Sequence, residues 1–291
     1  MSGTMPAMRL AGWTYSYDGI PLEESVAHMA RVGFSGFELA TGETHSTPID
    51  ALDERRVDDV RRLSQEHNMA VVAVSALFGF VPESDAAWQT TMTRWRRAIE
   101  AAATLGAPFV ASCSMGAPSG WTRDRFWPAM VAAAREVADY AADRGISVAV
   151  EPHWAHAIER PGDILELIAA CGRANLVVNC DVCHPFALGY DLEGIAATLG
   201  ARAAYAHVCD VRGRHPGGPP PAGHQLVNPG EGEIDWPRWL GLLHKVGYQG
   251  WITTQISVMR RAWPGYDARV AMEEVYRVIT GAMAKAGVPR I

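Results

Sequence analysis

Short runs of valine, isoleucine, phenylalanine and alanine alternate along this chain with longer stretches in which apolar residues recur at helical spacing. This alternation is the signature of repeated βα units. Eight runs read as strands: Arg9 to Thr14, Gly36 to Ala40, Ala70 to Val74, Pro108 to Ser112, Ser147 to Glu151, Leu176 to Asp181, Ala203 to Val208 and Trp251 to Gln255. Several are apolar at almost every position, as a strand must be when both faces of a parallel sheet are covered. Between them the pattern predicts amphipathic helices, among them Val57 to His67, Trp88 to Leu105, Phe126 to Asp143 and Ala268 to Lys285. The helix-to-strand junctions share a phrase in which glycine or asparagine follows the last turn, as at Gly33, Asn68, Gly106, Gly145 and Gly247. These are C-caps, and the apolar residue after each leads into the next strand. Eight such units predict an α/β fold, a (β/α)8 TIM barrel forming one domain over residues 1–291. The rival, an open doubly wound sheet binding a dinucleotide, calls for a GxGxxG turn after a strand, and none follows any of these.

The polar residues at the ends of these runs carry the candidate chemistry, because an α/β barrel keeps its functional groups at the carboxyl ends of its strands. Strand five ends in Glu151 and strand six in Asp181; strand seven reaches His207 and strand eight Gln255. Each could merely cap its own strand. Four in succession instead point to a shared cation, since an unpaired buried carboxylate is costly. Oxygen donors with one imidazole suit a single divalent ion, Mn²⁺ foremost, with Mg²⁺, Co²⁺ or Zn²⁺ as alternatives. A cation beside a carbonyl and a hydroxyl oxygen acidifies the neighbouring carbon, and a base must then take the proton. Glu151, His153 and His184 are the candidates. Cys180 and Cys183 form a CxxC that flanks Asp181 instead of opening a helix, and read as small apolar core residues.

At these residues the chain resembles the xylose isomerase-like barrels, which include sugar isomerases and epimerases, inosose and dehydroshikimate dehydratases and C-glycoside deglycosidases. The likeness runs from about Leu10 to Lys285. It is carried by Val150-Glu151-Pro152-His153, by Asn179-Cys180-Asp181-Val182-Cys183-His184, by Ala206-His207-Val208-Cys209-Asp210, and by Gly230-Glu231-Gly232-Glu233-Ile234-Asp235 leading to Gly247-Tyr248-Gln249-Gly250-Trp251. The resemblance implies metal ligation by Glu151, Asp181 and His207. It places His184 beside the substrate's hydroxyl groups and brings Asp210 and Arg212 toward the substrate or the outer surroundings of the metal. It departs at Gln255, where the family usually has glutamate. An amide oxygen can still coordinate a hard cation but cannot take up a proton. Two-base epimerisation is thereby disfavoured against an elimination such as that of a C-glycoside deglycosidase or a keto-sugar or cyclitol dehydratase. Sugar isomerase or epimerase is the alternative, and a noncatalytic sugar-binding barrel the alternative of another class. A deglycosidase would imply a second, smaller subunit.

Composition narrows the partners. A net charge of −6 offers no basic field for nucleic acid, which also argues against an abasic-site nuclease. No lysine or arginine cluster suggests a phosphate, although Arg160, Arg260 and Arg261 keep one open. Trp13, Tyr15, Tyr17, His45, Phe78 and Phe80 follow the early strands and could face the flat side of a sugar or aglycone, with Trp13, His45 and Phe78 as the substrate-binding candidates. The Pro- and Gly-rich stretch 211–233, with His224 in it, reads as a loop over the active face. Five cysteines, no signal-like start and no long uncharged apolar run predict a cytoplasmic protein without a membrane partner. Ten tryptophans permit, without locating, a homo-oligomer interface.

Overall fold

The computed structural model describes residues 7–82, 84–214 and 225–291. Eight parallel strands close a barrel: β1 (Arg9–Trp13), β2 (Gly36–Ala40), β3 (Ala70–Ser75), β4 (Phe109–Cys113), β5 (Ser147–Glu151), β6 (Leu176–Asn179), β7 (Ala203–Val208) and β10 (Trp251–Thr254). β1 pairs with both β2 and β10, which closes the ring, and every barrel pairing is parallel. A short antiparallel ribbon, β8 (Asp210–Arg212) with β9 (Gln225–Val227), rises from the loop after β7. His224 and the rest of residues 215–224 in that loop lie outside the described residues.

The helices wrap the barrel as the apolar stripes require. Four of them, α1 (Leu22–Val32), α2 (Glu54–Glu66), α3 (Asp85–Leu105) and α4 (Arg123–Ala142), follow the first four strands. They are succeeded by α5 (Pro161–Cys171), α6 (Cys183–Ala187), α7 (Leu192–Thr198), α8 (Trp236–Lys245), α9 (Val258–Arg261) and α10 (Ala268–Ala286). Asp53 starts α2 by accepting from Arg56 N, and Asp267 starts α10 by accepting from Arg269 N and Val270 N, which satisfies amides that a first turn leaves free. Gly33 ends α1 with φ of 111°. A side chain at Gly33 would be strained by that dihedral and would also meet the Tyr276 hydroxyl at 2.6 Å.

Two apolar regions result. The larger packs the outward faces of the strands against the helices, with Trp95, Trp239, Phe37 and Leu39 fully enclosed. The smaller fills the barrel, where Ala11, Ala73, Ala111 and Ala149 leave room for Tyr205, which stacks on Phe109 at 5.1 Å. Because alternate side chains of a strand point the same way, each inward apolar residue is followed two positions later by another inward residue nearer the carboxyl end. Ala11 thus leads to Trp13, Ala149 to Glu151, Tyr205 to His207 and Trp251 through Thr253 to Gln255. The apolar plug becomes the floor of a polar site. β6 ends at Asn179, two residues before the expected end at Asp181, because the register with β7 shifts there; Asp181 stands just past the strand.

Candidate metal centre

Glu151, Asp181 and His207 each place one donor atom within 4.8 Å of the other two. All three are buried, Asp181 completely so. The fourth expected residue joins them, since Gln255 Nε2 donates to Asp181 Oδ2 at 2.9 Å. Asp181 Oδ1 accepts from Cys183 N at 2.9 Å, and Asn179 Nδ2 donates to Glu151 Oε2 at 3.1 Å. The donor set fits a hard divalent cation: two buried carboxylates side by side, an imidazole and an amide, with no thiolate among them.

The electrostatics support this fit. Burial, and then the charge on Glu151, raise the Asp181 carboxyl above its usual range. Burial alone would raise Glu151 too, but the imidazoles of His184 and His207 outweigh it and hold Glu151 ionised. Burial by itself would lower His207; instead Glu38 and Glu151 raise it well above the ordinary histidine value. Two neighbouring buried acids are thus displaced in opposite directions, with the imidazoles of His184 and His207 between their charges.

Two histidines border this centre. His184 is wholly enclosed, its Nε2 3.3 Å from Glu151 Oε1, and neither ring nitrogen has a hydrogen-bond partner among the described residues. His153 lies over it with ring centroids 3.7 Å apart, and His156 stacks on His153 at 3.9 Å. His153 Nδ1 meets the Trp154 carbonyl oxygen at 2.7 Å. An oxygen there can only accept, so Nδ1 carries the hydrogen and the neutral ring keeps its lone pair on Nε2. Burial, then the neighbouring His184, pushes His153 well below the ordinary value, and the same causes bring His156 down to about 4.

A cavity of about 530 Å³ opens above the centre, within the range of small-molecule sites. Trp13, Glu38, His45, Ser75, Glu151, His153, His156, Asn179, His207 and Gln255 form its polar and aromatic floor. Leu77, Met115, Trp154, Leu226, Val258 and Met259 form its apolar wall. Of the substrate candidates, Trp13 and His45 line this space, and so does Tyr15, stacked on Trp13 at 4.4 Å. Phe78 does not; it packs edge-on against Trp95, as Phe80 packs beneath. Tyr17 is likewise turned away, held by His28 Nδ1 at 2.8 Å.

Asp210 and Arg212 also lie off the cavity, and the expectation that they reach substrate gives way to another role. The buried Asp210 carboxylate accepts from Val211 N at 2.8 Å, Gly230 N at 2.9 Å, Ile234 N at 3.1 Å and Trp236 Nε1 at 2.9 Å. These bonds consume its lone pairs and tie both ends of the long loop together. Arg212 donates from Nε and Nη2 to the Glu231 carbonyl. Asp210→Ala would strand three buried donors and a part-buried fourth, so it should destabilise the fold by about 3 kcal/mol or more, read as a lowered urea midpoint. Arg260 is paired with Glu231 at 2.8 Å, and Arg261 lies against Asp18 at 3.2 Å and over Tyr15. No lysine or arginine lines the cavity among the described residues, which leaves no clamp for a phosphate there.

The sequence profile of the family described as xylose isomerase-like TIM barrel matches residues 26–277. The chain belongs to that family. An inosose isomerase of Halalkalibacterium halodurans is 21% identical over 228 residues, covering 76% of this chain and 79% of that protein. A 2-oxo-tetronate isomerase of Pectobacterium atrosepticum is 28% identical over 162 residues, 53% of this chain and 56% of that one. The crystal structure of the IOLI protein with a bound zinc atom has the same fold, with a TM-score of 0.77 at 19% identity over 96% of this chain and 98% of that one.

Sequence reasoning missed one member of the floor. Glu38, in β2, is fully buried and reaches His207 Nε2 at 2.7 Å. The signal was a lone acid inside Gly36-Phe37-Glu38-Leu39-Ala40, a strand buried at every position. A charge in such a strand requires a partner inside the barrel.

Proposed function

We propose that this protein is a divalent-metal-dependent enzyme that removes a proton from the carbon beside a carbonyl in a carbohydrate. The observation that carries this reading is the meeting of Glu151, Asp181, His207 and Gln255 at the foot of a cavity of about 530 Å³ that has no cationic clamp among the described residues. Those residues would hold the ion, Mn²⁺ by our reading of the donor set, and the bound ion would supply Lewis-acid polarisation of substrate oxygens. The zinc in the IOLI protein and the isomerase names of the relatives support a metal and a sugar, respectively.

Glu151 is the base. It is held ionised by two imidazoles and borders the cavity. His184 backs its Oε1 from the enclosed side. His153, neutral with its lone pair on Nε2, accepts a substrate hydroxyl proton in a hydrogen bond. Trp13 and Tyr15 line the cavity as an aromatic stack beside which the sugar's C–H groups would pack. The apolar wall beyond them suits an apolar substituent such as an aglycone.

Gln255 stands where a second carboxylate would return the proton on the opposite face, and its amide cannot do so. An elimination needs only one base, so we favour loss of a β-substituent over epimerisation. The names of the two isomerase relatives favour the second reading, in which the proton goes back to a neighbouring carbon.

The test is to assay metal content, then offer the loaded protein 3-keto-glycosides and inososes in deuterated water and follow them by NMR. Elimination yields an unsaturated ketone and a released group, whereas isomerisation yields deuterium in an intact skeleton. A loaded protein that exchanges no carbon-bound hydrogen in any of them would overturn the enzymatic reading in favour of a sugar-binding barrel.

A further inference from the structure

Glu38 is a carboxylate with no solvent contact, on a strand three places around the barrel from the one that carries His207. Its Oε2 accepts from His207 Nε2 at 2.7 Å and from the Tyr205 hydroxyl at 2.5 Å. Its Oε1 accepts from Ser75 Oγ at 2.5 Å, and Ser75 Oγ in turn accepts from Trp13 Nε1 at 2.6 Å. The same carboxylate therefore fixes a metal-ligand candidate on β7 and, through Ser75, an aromatic wall of the cavity on β1. The other nitrogen of His207, Nδ1, faces Glu151 Oε2 at 2.9 Å, inside the cluster of donors.

We propose that Glu38 is the positioning residue of the metal centre: by holding Nε2–H of His207 it commits Nδ1 to the ion, and through Ser75 it sets Trp13 in register with that ion. An imidazole has two nitrogens, and a ligand that may present either one pays for the choice each time it binds. A carboxylate that occupies one nitrogen removes the choice, fixes the ring plane and makes the ligating nitrogen more basic. The apolar plug beneath enforces this. Tyr205 stands two residues before His207 on the same face of β7, and its hydroxyl shares the Glu38 oxygen, so carboxylate and ring cannot rotate independently.

The inference rests on the metal site proposed above, and the experiment separates the two. Wild-type protein, stripped and titrated with Co²⁺ and Zn²⁺ in competition with a chromophoric chelator, should bind; no binding by wild type overturns the site itself. Glu38→Gln keeps the shape and an acceptor oxygen, and it should weaken both ions by about 10- to 100-fold, the usual effect of losing such a partner. It should also shift the visible spectrum of bound Co²⁺ while the far-UV circular dichroism stays unchanged. Glu38→Ala should lose more, but it strands three buried donors and destabilises the fold as well, so the Gln variant carries the decision. Histidine nitrogen NMR of the zinc form should report Nδ1 as the metal-bound nitrogen of His207 in wild type. Affinities within twofold of wild type with an unshifted Co²⁺ spectrum in Glu38→Gln, or ligation through Nε2 in wild type, would overturn the proposal.

Discussion

Asp181→Asn should make the metal-free protein more heat-stable and the metal-treated protein less so than wild type, reversing their order. Asp181 is wholly buried within reach of Glu151, and both burial and that neighbour raise its carboxyl. A carboxyl whose folded pKa is raised costs stability at every pH above its ordinary value, and the cost fades as acidification protonates it. Asparagine imitates the protonated acid. Its Oδ1 keeps the bond from Cys183 N, and the Gln255 amide can turn to present its oxygen to the new NH₂. The expected gain near pH 7 is at least about 2–4 °C in Tm, the change that 1 kcal/mol makes in a domain of roughly this size. It should shrink toward zero as pH falls. Divalent ion added at a hundred times its Kd stabilises wild type by about 2.7 kcal/mol through mass action and should leave the variant unmoved. Differential scanning calorimetry with and without Mn²⁺ reads both halves. A metal-free variant that melts below wild type would show that Asp181 serves the fold and not a cation.

The scaffold of this site was legible because a parallel barrel writes itself in short, doubly buried runs. All eight predicted strands exist, and the errors fall at ends, such as Asp181, where a register shift releases the chain early. The C-caps were equally plain, since Gly33, Asn68, Gly106, Gly145 and Gly247 all take positive φ. Strand ends also converge by construction, so Glu151, Asp181, His207 and Gln255 could be named from their positions alone. Loop residues obey no such period. Asp210 and Arg212 follow His207 closely, yet neither lines the cavity, and most of their partners come from residues 225 to 236. Those long-range pairings leave no mark on local sequence. Glu38 lay at the opposite extreme: it had a local mark, a single acid in an apolar strand, but sits in the first half of the chain, distant in sequence from the His207 that it meets.

Gln255→Glu should tighten metal binding, weaken the metal-free fold and change what the site does to a carbon acid. Gln255 is nearly enclosed and donates to Asp181 Oδ2. Glutamate there loses the donor and sets a third carboxylate beside Asp181 and Glu151, so without a cation the Tm should fall by several degrees, since an unsatisfied buried polar group costs about 1–3 kcal/mol and a charged one more. With a cation the added negative charge becomes an asset, and Mn²⁺ affinity should rise by about tenfold or more, most strongly at high pH where all three acids are ionised. The chemical consequence follows from the position. Gln255 and Glu151 both line the cavity, from strands separated by β7 and β6, so a carboxylate at 255 can return a proton from a direction that Glu151 cannot. With a keto-sugar in deuterated water the variant should gain deuterium incorporation or epimer formation at the expense of elimination. If its product distribution matches wild type while its metal affinity rises, the amide at 255 governs the ion alone, and the proposed choice of elimination over epimerisation cannot rest on that residue.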